Sequence, residues 1–422
     1  MAYEIKTMDD FDFRGKTVLV RLDLNSPIDE NREIADDRRF LSHVPTLKEL
    51  IENNAKIVVI AHQSRPGKED FTTMVRHAKK LSGILKEKAN YNLEVRYEET
   101  LFGTYARETI KNMNNKEILM LENVRFDSEE IYNYPEEARG ECPYAKKADT
   151  HLVRKLSRVI DIYINDAFGT AHRCQPSVVG FPQKLPSCAG RLMEKELKIL
   201  NEVIKKPEKP VTFVLGGAKA DDSIEVAERA LENGADRILV GGLVGNIFLA
   251  SRFWIGDASI KIIKENKMTD QIDIAGELFK RHRDRIVMPL DVAVKSCGKR
   301  VVIDVEKLTV DEPKTKDCPI FDIGEKTVAE YKNIIKNSKT VLANAVMGLV
   351  EKENFAYGTN EILTAIADSD AFSVLGGGST VAVARKLGLE GKVDWMSTGG
   401  GASMEVLAGK KLPAIEALKI GG

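Results

Sequence analysis

The sequence predicts an α/β protein made of two doubly wound domains with parallel sheets, joined by a hinge helix. Three observations carry this. Short β-branched runs alternate with longer amphipathic stretches along the whole chain, the pattern of parallel sheets covered by helices on both faces. The runs are too many for one sheet of ordinary size. At 422 residues the chain is long enough to fold as two domains.

Taken in order, the strand candidates of the first half are TVLVRLDL (17–24), KIVVIA (56–61), LEVRY (93–97), EILML (117–121) and VIDIYIN (159–165). FPQKLPSCAG then interrupts the alternation. RLMEKELKILNEVIKK follows as one amphipathic helix, with Met193, Leu197, Leu200 and Ile204 on a single face, and KKPEKP closes it. The second half offers VTFVL (211–215), RILVGG (237–242), RIVMPL (285–290), TVLAN (340–344), AFSVL (371–375) and VDWM (393–396). Helix patterns such as LKELIENN, VAERALENGA and EILTAIADS lie between strands. The expected division is 1–185 for the first domain, 186–208 for the hinge helix, 209–403 for the second domain and 404–422 for a tail. A lone helix between domains suits a hinge lever.

Composition narrows the partners. Charged residues are 30% and nearly balanced, with a formal net charge of -1, so neither nucleic acid nor an anionic membrane is expected. No run approaches the roughly 18 apolar residues of a membrane span. MAYEIKTMDDFDFRGKT has acids and no apolar segment, unlike a signal peptide. Cys142, Cys174, Cys188, Cys297 and Cys318 are scattered, odd in number and form no CxxC, and are expected as reduced thiols in a cytoplasmic protein. The six histidines show no ligand-spaced pairs, so zinc is not expected.

In parallel α/β sheets ligands bind beyond the carboxyl ends of the strands. In the first half those ends carry RLDLNSP with Asp23 and Asn25, then IADDRRFLSHVPTL with Arg38 and Arg39. Next come AHQSRPG with His62 and Arg65, LENVRF with Arg125, and NDAFGTAHR with His172 and Arg173. A single such arginine is usually a solvated surface charge. Arginines recurring after four strand ends would repel one another in an empty site, and fit an anionic ligand that accepts their paired donors. Asp23 and Asn25 alone could be ordinary turn residues.

In the second half the strand ends are glycine turns that open helices. They are VLGGAKADDS with Gly216, Gly217 and Lys219, a Gly241–Gly242 pair, VLANAVMGLVE with Asn344, Gly348 and Glu351, VLGGGST, and STGGGAS with Gly399 to Gly401. One glycine in a strand-to-helix turn is ordinary. Several on one sheet edge suit a polyphosphate lying across backbone amides and helix N-termini. None matches GxxxxGK[ST], and no GxGxxG follows the first strand, so neither a P-loop nor a dinucleotide fingerprint is present. An arginine site in one domain and a glycine site with a lysine in the other suggest phosphoryl transfer across a closing cleft.

These segments, RLDLNSP, DDRRFLSHVPT, AHQSRPG, LENVRF, NDAFGTAHR, LGGAK, LANAVMG, LGGGST and STGGGAS, resemble those of the phosphoglycerate kinase family in order and approximate spacing. The resemblance covers essentially the whole chain. It implies two Rossmann-like domains, a tail returning to the first domain, and a monomeric hinge-bending enzyme. It also implies reversible phosphoryl transfer between ATP and the carboxylate of 3-phosphoglycerate, with Mg²⁺ accompanying ATP or ADP. Carried over by position, Asp23, Leu24, Asn25, His62, Gln63, Ser64, Arg65, Arg125 and Arg173 would bind 3-phosphoglycerate. Arg39, in register with FLSHVPT, would stabilise the moving phosphoryl group, with Lys219, Gly378 and Gly401. Gly217, Ala218, Lys219, Gly242, Asn344, Glu351, Gly376, Gly377, Gly378, Ser379 and Thr380 would hold the nucleotide.

A carboxylate acceptor is already ionised at neutral pH and needs no general base, so positioning and charge neutralisation remain as the catalytic tasks. The chain departs from the family in three places. GGGST replaces the usual GGGDT, so Ser379 stands where an acid commonly binds the nucleotide's Mg²⁺. GGAKADDS replaces GGAKVxDK, so Ser223 stands for a second lysine. Ala343 and Val346 replace the tryptophan and proline of VWNGPVG. Asp221 or Asp222 is a candidate metal ligand in compensation. A binding protein that retains nucleotide and anionic metabolite without turnover is the second reading. The presence of both Arg39 and Lys219 favours the enzyme.

Overall fold

The protein is described by a computed structural model over residues 5–205, 207–308, 318–407 and 409–421. It divides into two compact units, Met1–Lys198 with Lys411–Gly422, and Ile199–Lys410. The expected edges were 185, 208 and 403. The helix Arg191–Lys205 begins in the first unit and ends in the second. The Ile204 side chain and Lys206 lie outside the described residues, as do Ala408 and Gly422 of the expected tail.

The first unit holds six strands: β1 (Thr17–Arg21), β2 (Lys56–Ile60), β3 (Val95–Glu98), β4 (Ile118–Leu121), β5 (Ile162–Asn165) and β6 (Ser187–Ala189). They form one sheet in the order β3-β4-β2-β1-β5-β6, and every pairing is parallel. Val18 pairs with Ile57 on one side and Ile162 on the other. Successive side chains of β1 point to opposite faces, so Val18 and Val20 enter one core while Leu19 enters a second. Burial on both faces is why the strands read as continuous apolar runs.

The second unit holds β7 (Val211–Leu215), β8 (Arg237–Val240), β9 (Ile286–Val287), β10 (Asp291–Ser296), β11 (Lys299–Asp304), β12 (Ile320–Ile323), β13 (Thr340–Asn344), β14 (Phe372–Leu375) and β15 (Trp395–Met396). Six of them form a parallel sheet in the order β15-β14-β13-β7-β8-β9. The two six-stranded parallel sheets are the α/β architecture the alternation predicts. The remaining three form a small antiparallel sheet, β11-β10-β12, that the sequence reading missed. Its hairpin turns on Cys297 (φ 47°) and Gly298 (φ 79°), a two-residue loop with both residues left-handed. Cys-Gly is a weaker hairpin signal than Asn-Gly, and β6 is hidden inside a proline-containing segment.

One expectation is corrected. Cys142 and Cys174 are joined in a disulfide, with Cα atoms 5.6 Å apart, rather than being free thiols. They are 32 residues apart, and the fold brings the 142 turn onto the turn after β5, which no local spacing could reveal. Cys188, Cys297 and Cys318 are free. Among the described residues no helix is long and apolar enough to cross a membrane.

Candidate active site

Each parallel sheet has a switch point, where the chain has built outward on one side and returns to build on the other. In the first sheet it falls between β1 and β5, in the second between β7 and β13. Crevices form there at the carboxyl ends of the strands.

At the first switch point Asp23 follows β1 and is almost wholly buried. Its Oδ2 pairs with Nη1 of Arg39, in the first turn of the helix Arg38–Glu52. Arg38 instead turns to Asp36, with Nε 2.7 Å from Oδ1. Burial by itself would raise the Asp23 carboxyl. The charges of Arg39 and then Arg21 outweigh it and hold Asp23 well below the usual carboxylate range. Gly169, in the turn after β5, packs so closely that a Cβ there would overlap Asp23 Oδ2. The AFGT segment therefore needs its glycine to let the ion pair form.

The loop after β2 adds His62, Gln63, Ser64 and Arg65. Ser64 has a left-handed φ of 55° and donates its N–H to Asn25 Oδ1 at 2.9 Å. Its hydroxyl donates to Asp70 Oδ1 at 2.5 Å. Gln63 spends both ends of its amide on the Ser26 backbone, at 3.1 and 3.0 Å, and so acts as a brace. Leu24 is fully buried, which leaves only its backbone for a ligand. Arg125, after β4, donates to the Ser64 carbonyl. Burial, then Arg173 and Arg21, lower the Arg125 guanidinium to about 10. His62 is buried, and burial followed by Arg21 holds it well below its ordinary value. Arg173 and Arg21 thus act on Arg125 in the direction that nearby like charges require. Arg65 and Arg173 are exposed, and His172 is partly buried.

The sequence reading missed Arg21, His43, Glu130, Asp166 and Ser177, all buried around this set. Asp23 donates its backbone N–H to His43 Nε2 at 3.1 Å, and His43 Nδ1 donates to Asp166 Oδ2 at 2.7 Å. The other oxygen of Asp166 accepts from Leu192 and Met193, the first turn of the helix that runs into the second unit. Arg21 did leave a signal, as a charge inside an otherwise apolar parallel strand.

At the second switch point three turns press together. Gly216 donates to the Asn344 carbonyl and Gly217 to the Val346 carbonyl, both at 2.7 Å, and Gly242 donates to the Met347 carbonyl at 2.8 Å. A Cβ on Gly216 would overlap the Val346 carbonyl, and one on Gly242, whose φ is 56°, would come within 2.7 Å of it. Gly377 has φ 81° and abuts Asn344 Oδ1, which accepts from the Thr380 hydroxyl at 3.1 Å. Gly376 gives its N–H to the Ala343 carbonyl at 2.8 Å. Gly378 and Ser379 are exposed in the first turn of the helix Gly378–Lys386.

These turns rim a cavity of about 530 Å³ within the second unit. Its lining includes Ala218, Lys219, Gly377, Gly378, Ser379 and Gly401 on the polar rim and Leu243, Val292, Ile320 and Phe321 on the apolar wall. Asn344, Glu351 and Asp222 also line it, and Asp221 does not. Volume, apolar wall and amide-bearing rim suit a flat heterocycle carrying phosphates. Burial and the neighbouring Asp221 raise the Asp222 carboxyl, while Lys219 lowers it. Asp322 lines the same cavity and accepts from Ile323 and Gly358 N–H groups at 2.9 Å. Burial nonetheless pushes its carboxyl up to about 7.

Comparison with known proteins identifies the family of the chain. The family model described as phosphoglycerate kinase matches residues 8–410. The chain is 47% identical over 420 residues to the phosphoglycerate kinase of Methanothermus fervidus, covering 99% of this chain and 97% of that protein. It is 48% identical over 414 residues to that of Methanococcus maripaludis, covering 98% and 97%. The crystal structure of phosphoglycerate kinase from Pyrococcus horikoshii superposes with a TM-score of 0.87 at 42% identity, covering 98% of both chains. The structure of phosphoglycerate kinase from Coxiella burnetii gives 0.78 at 28% identity, covering 98% of this chain and 99% of the other.

Proposed function

This chain belongs to the phosphoglycerate kinase family, and from that premise we propose that it transfers a phosphoryl group reversibly between ATP and the carboxylate of 3-phosphoglycerate. The observation that carries the reading is the contrast between the two switch points. One gathers arginines around a buried carboxylate, and the other gathers amides around a nucleotide-sized cavity.

In the first unit, Arg65, Arg125 and Arg173 neutralise the 3-phosphate, while Asn25 and Asp23 face the glycerate hydroxyl and carboxylate. The Arg39 guanidinium is partly exposed and tethered by Asp23, so it is oriented yet free to meet charge developing on the transferred group. In the second unit, Lys219 stands exposed just before the helix Ala220–Glu232 and approaches the same group from the nucleotide side. The N–H groups at Gly378 and Gly401 take up phosphate oxygens, and Glu351 takes the ribose hydroxyls. The acceptor arrives ionised, so no base is required. Transfer needs the carboxylate and the γ-phosphoryl group in line, and the helix Arg191–Lys205 is the connection about which the units would approach.

Among the described residues no cluster of three or more acids, histidines or cysteines could hold a metal by itself. Mg²⁺ bound mainly by phosphate oxygens and water, with one carboxylate, fits such a site. Asp222, on the cavity wall, is the better placed of the two candidates. The ion supplies charge neutralisation of the phosphates when bound. Asp222→Ala should raise the Mg²⁺ concentration needed for half-maximal rate, and Asp221→Ala should leave it unchanged. Equal metal titrations for native and Asp222→Ala would remove this ligand. A cytoplasmic location and a monomeric state complete the proposal, tested by fractionation and by sedimentation.

The functional test is a coupled assay with 3-phosphoglycerate and ATP. Turnover supports the enzyme. Tight nucleotide binding without turnover would favour a regulatory binding protein.

A further inference from the structure

We infer that Arg21, held from behind by Ser177 and Glu130, is a positioning residue that fixes His62 as an Nε2–H donor for the acidic substrate. This rests on the reading of the first unit as the acidic-substrate site.

Arg21 ends β1 and is fully buried. Its Nη2 lies 3.1 Å from His62 Nδ1. A guanidinium has donors only, so Nδ1 must carry a lone pair and the ring proton must sit on Nε2. The contact also opposes a second protonation, since a proton on Nδ1 would point at a cation. The groups whose charges act on His62 are Arg21 and Asp23 at the end of β1, Arg125 after β4 and Arg39 on the helix Arg38–Glu52. Burial, and then three cations against one acid, disfavour a second proton on the ring. A neutral imidazole with a defined N–H is a directional donor to a phosphate or carboxylate oxygen, where a freely titrating one would alternate between states.

The arrangement behind Arg21 is equally defined. Its Nε donates to Ser177 Oγ at 3.1 Å. Ser177 Oγ donates to Glu130 Oε1 at 2.5 Å, and the Ser177 N–H donates to Oε2 at 2.9 Å. The hydroxyl proton is thereby committed to Glu130, and its lone pair faces Arg21. Tyr163 holds the Ser177 carbonyl at 2.8 Å. Glu130 is itself buried and is the strongest acid influence on Arg21. A buried Glu130–Arg21 couple bridged by serine would serve the core equally well if it stopped there. It continues to a histidine of the ligand set, and that makes it a positioning device.

The test uses the full ¹⁵N-labelled chain, comparing native protein with Arg21→Met/Glu130→Gln, which removes both buried charges together, and with Ser177→Ala, which keeps both. Long-range ¹H–¹⁵N spectra should show native His62 unprotonated at Nδ1 and protonated at Nε2 from about pH 8 to about pH 6, a window that brackets an ordinary histidine. In the double variant the ring should populate both tautomers and titrate within that window. Its KM for 3-phosphoglycerate should rise about tenfold or more, and should fall as pH is lowered and His62 gains charge, whereas the native KM moves less with pH. Ser177→Ala should shift tautomer and KM in the same direction by a smaller factor. A native ring protonated on Nδ1, or native tautomer and native KM profile in both variants, would overturn the proposal. Absence of turnover in the native chain would count against the substrate reading only, because the spectra decide the tautomer without it.

Discussion

In the proposed function the two switch points meet one task, holding a highly charged anion, with opposite materials. The first unit uses side chains: arginines at strand ends, a depressed Asp23 and a neutral His62, backed by buried polar groups. The second uses main chain: turns so closely packed that Gly216, Gly242 and Gly377 have no room for a Cβ, with Gly378 and Ser379 exposed in the first turn of a helix at the rim of a cavity. The difference suits their ligands. A small acid with charge at both ends calls for many directed cations. A nucleotide is held along its length by shape and amides, so charge is concentrated in Lys219.

The largest effect should come from the side-chain site. Arg39→Ala removes an oriented donor and should lower kcat by about 10²–10³. Steady-state kinetics with both substrates checks this, and near-native turnover would show that Asp23 anchors Arg39 for structural reasons alone.

The next prediction concerns the staple beside Arg173. The Cys142–Cys174 bond closes a loop spanning 32 residues, and Cys142→Ser should cost the first unit about 2–4 kcal/mol. Calorimetry on native and variant chains would reveal it, and an unchanged first-unit transition would deny the bond any stabilising role.

The main-chain site should be broken by a methyl group. Gly242→Ala places a Cβ at positive φ against the Val346 carbonyl, with strain on the order of 1–3 kcal/mol. The affinity for ADP should fall about tenfold or more while binding of 3-phosphoglycerate is retained, as measured by calorimetric titration. Loss of both affinities together would mean that the two sites do not act as separate units.

The smallest effect is a pH dependence in the second unit. Burial raises Asp322 to about 7 from an ordinary 3.8. A raised folded value means the protonated form is favoured on folding. The contribution is therefore full below about pH 4 and lost as pH rises through about 7. The thermal midpoint of the second unit should fall between pH 5 and pH 8 by more in the native chain than in Asp322→Asn. Equal slopes would show that Asp322 stays ionised throughout.

The same contrast decides what was legible in the sequence. Parallel strands buried on both faces announce themselves as apolar runs, so five of the six strands of the first parallel sheet and all six of the second could be read, while β6 lay hidden in a proline-containing segment. The hairpin around Cys297–Gly298 could not, because its turn chemistry is unusual and β11 is only partly buried. Glycine turns in the second unit were visible because close backbone approach leaves a compositional mark. The arginines were visible because charge recurs at strand ends. What supports them was not. His43, Asp166, Ser177 and Glu130 are single polar residues whose meaning lies in partners more than 40 positions away. Gln63, expected among the substrate residues, also braces the Ser26 backbone, a role only geometry can reveal.

The most direct test is the initial rate of 1,3-bisphosphoglycerate formation from 3-phosphoglycerate and ATP, for native protein beside Arg39→Ala. Pairing an arginine acid site with a glycine nucleotide site predicts native turnover in the ordinary enzyme range, roughly 1–10³ per second, and a fall of about 10²–10³ in the variant. A native chain that binds both ligands without turnover, or a variant that matches it, would contradict that pairing.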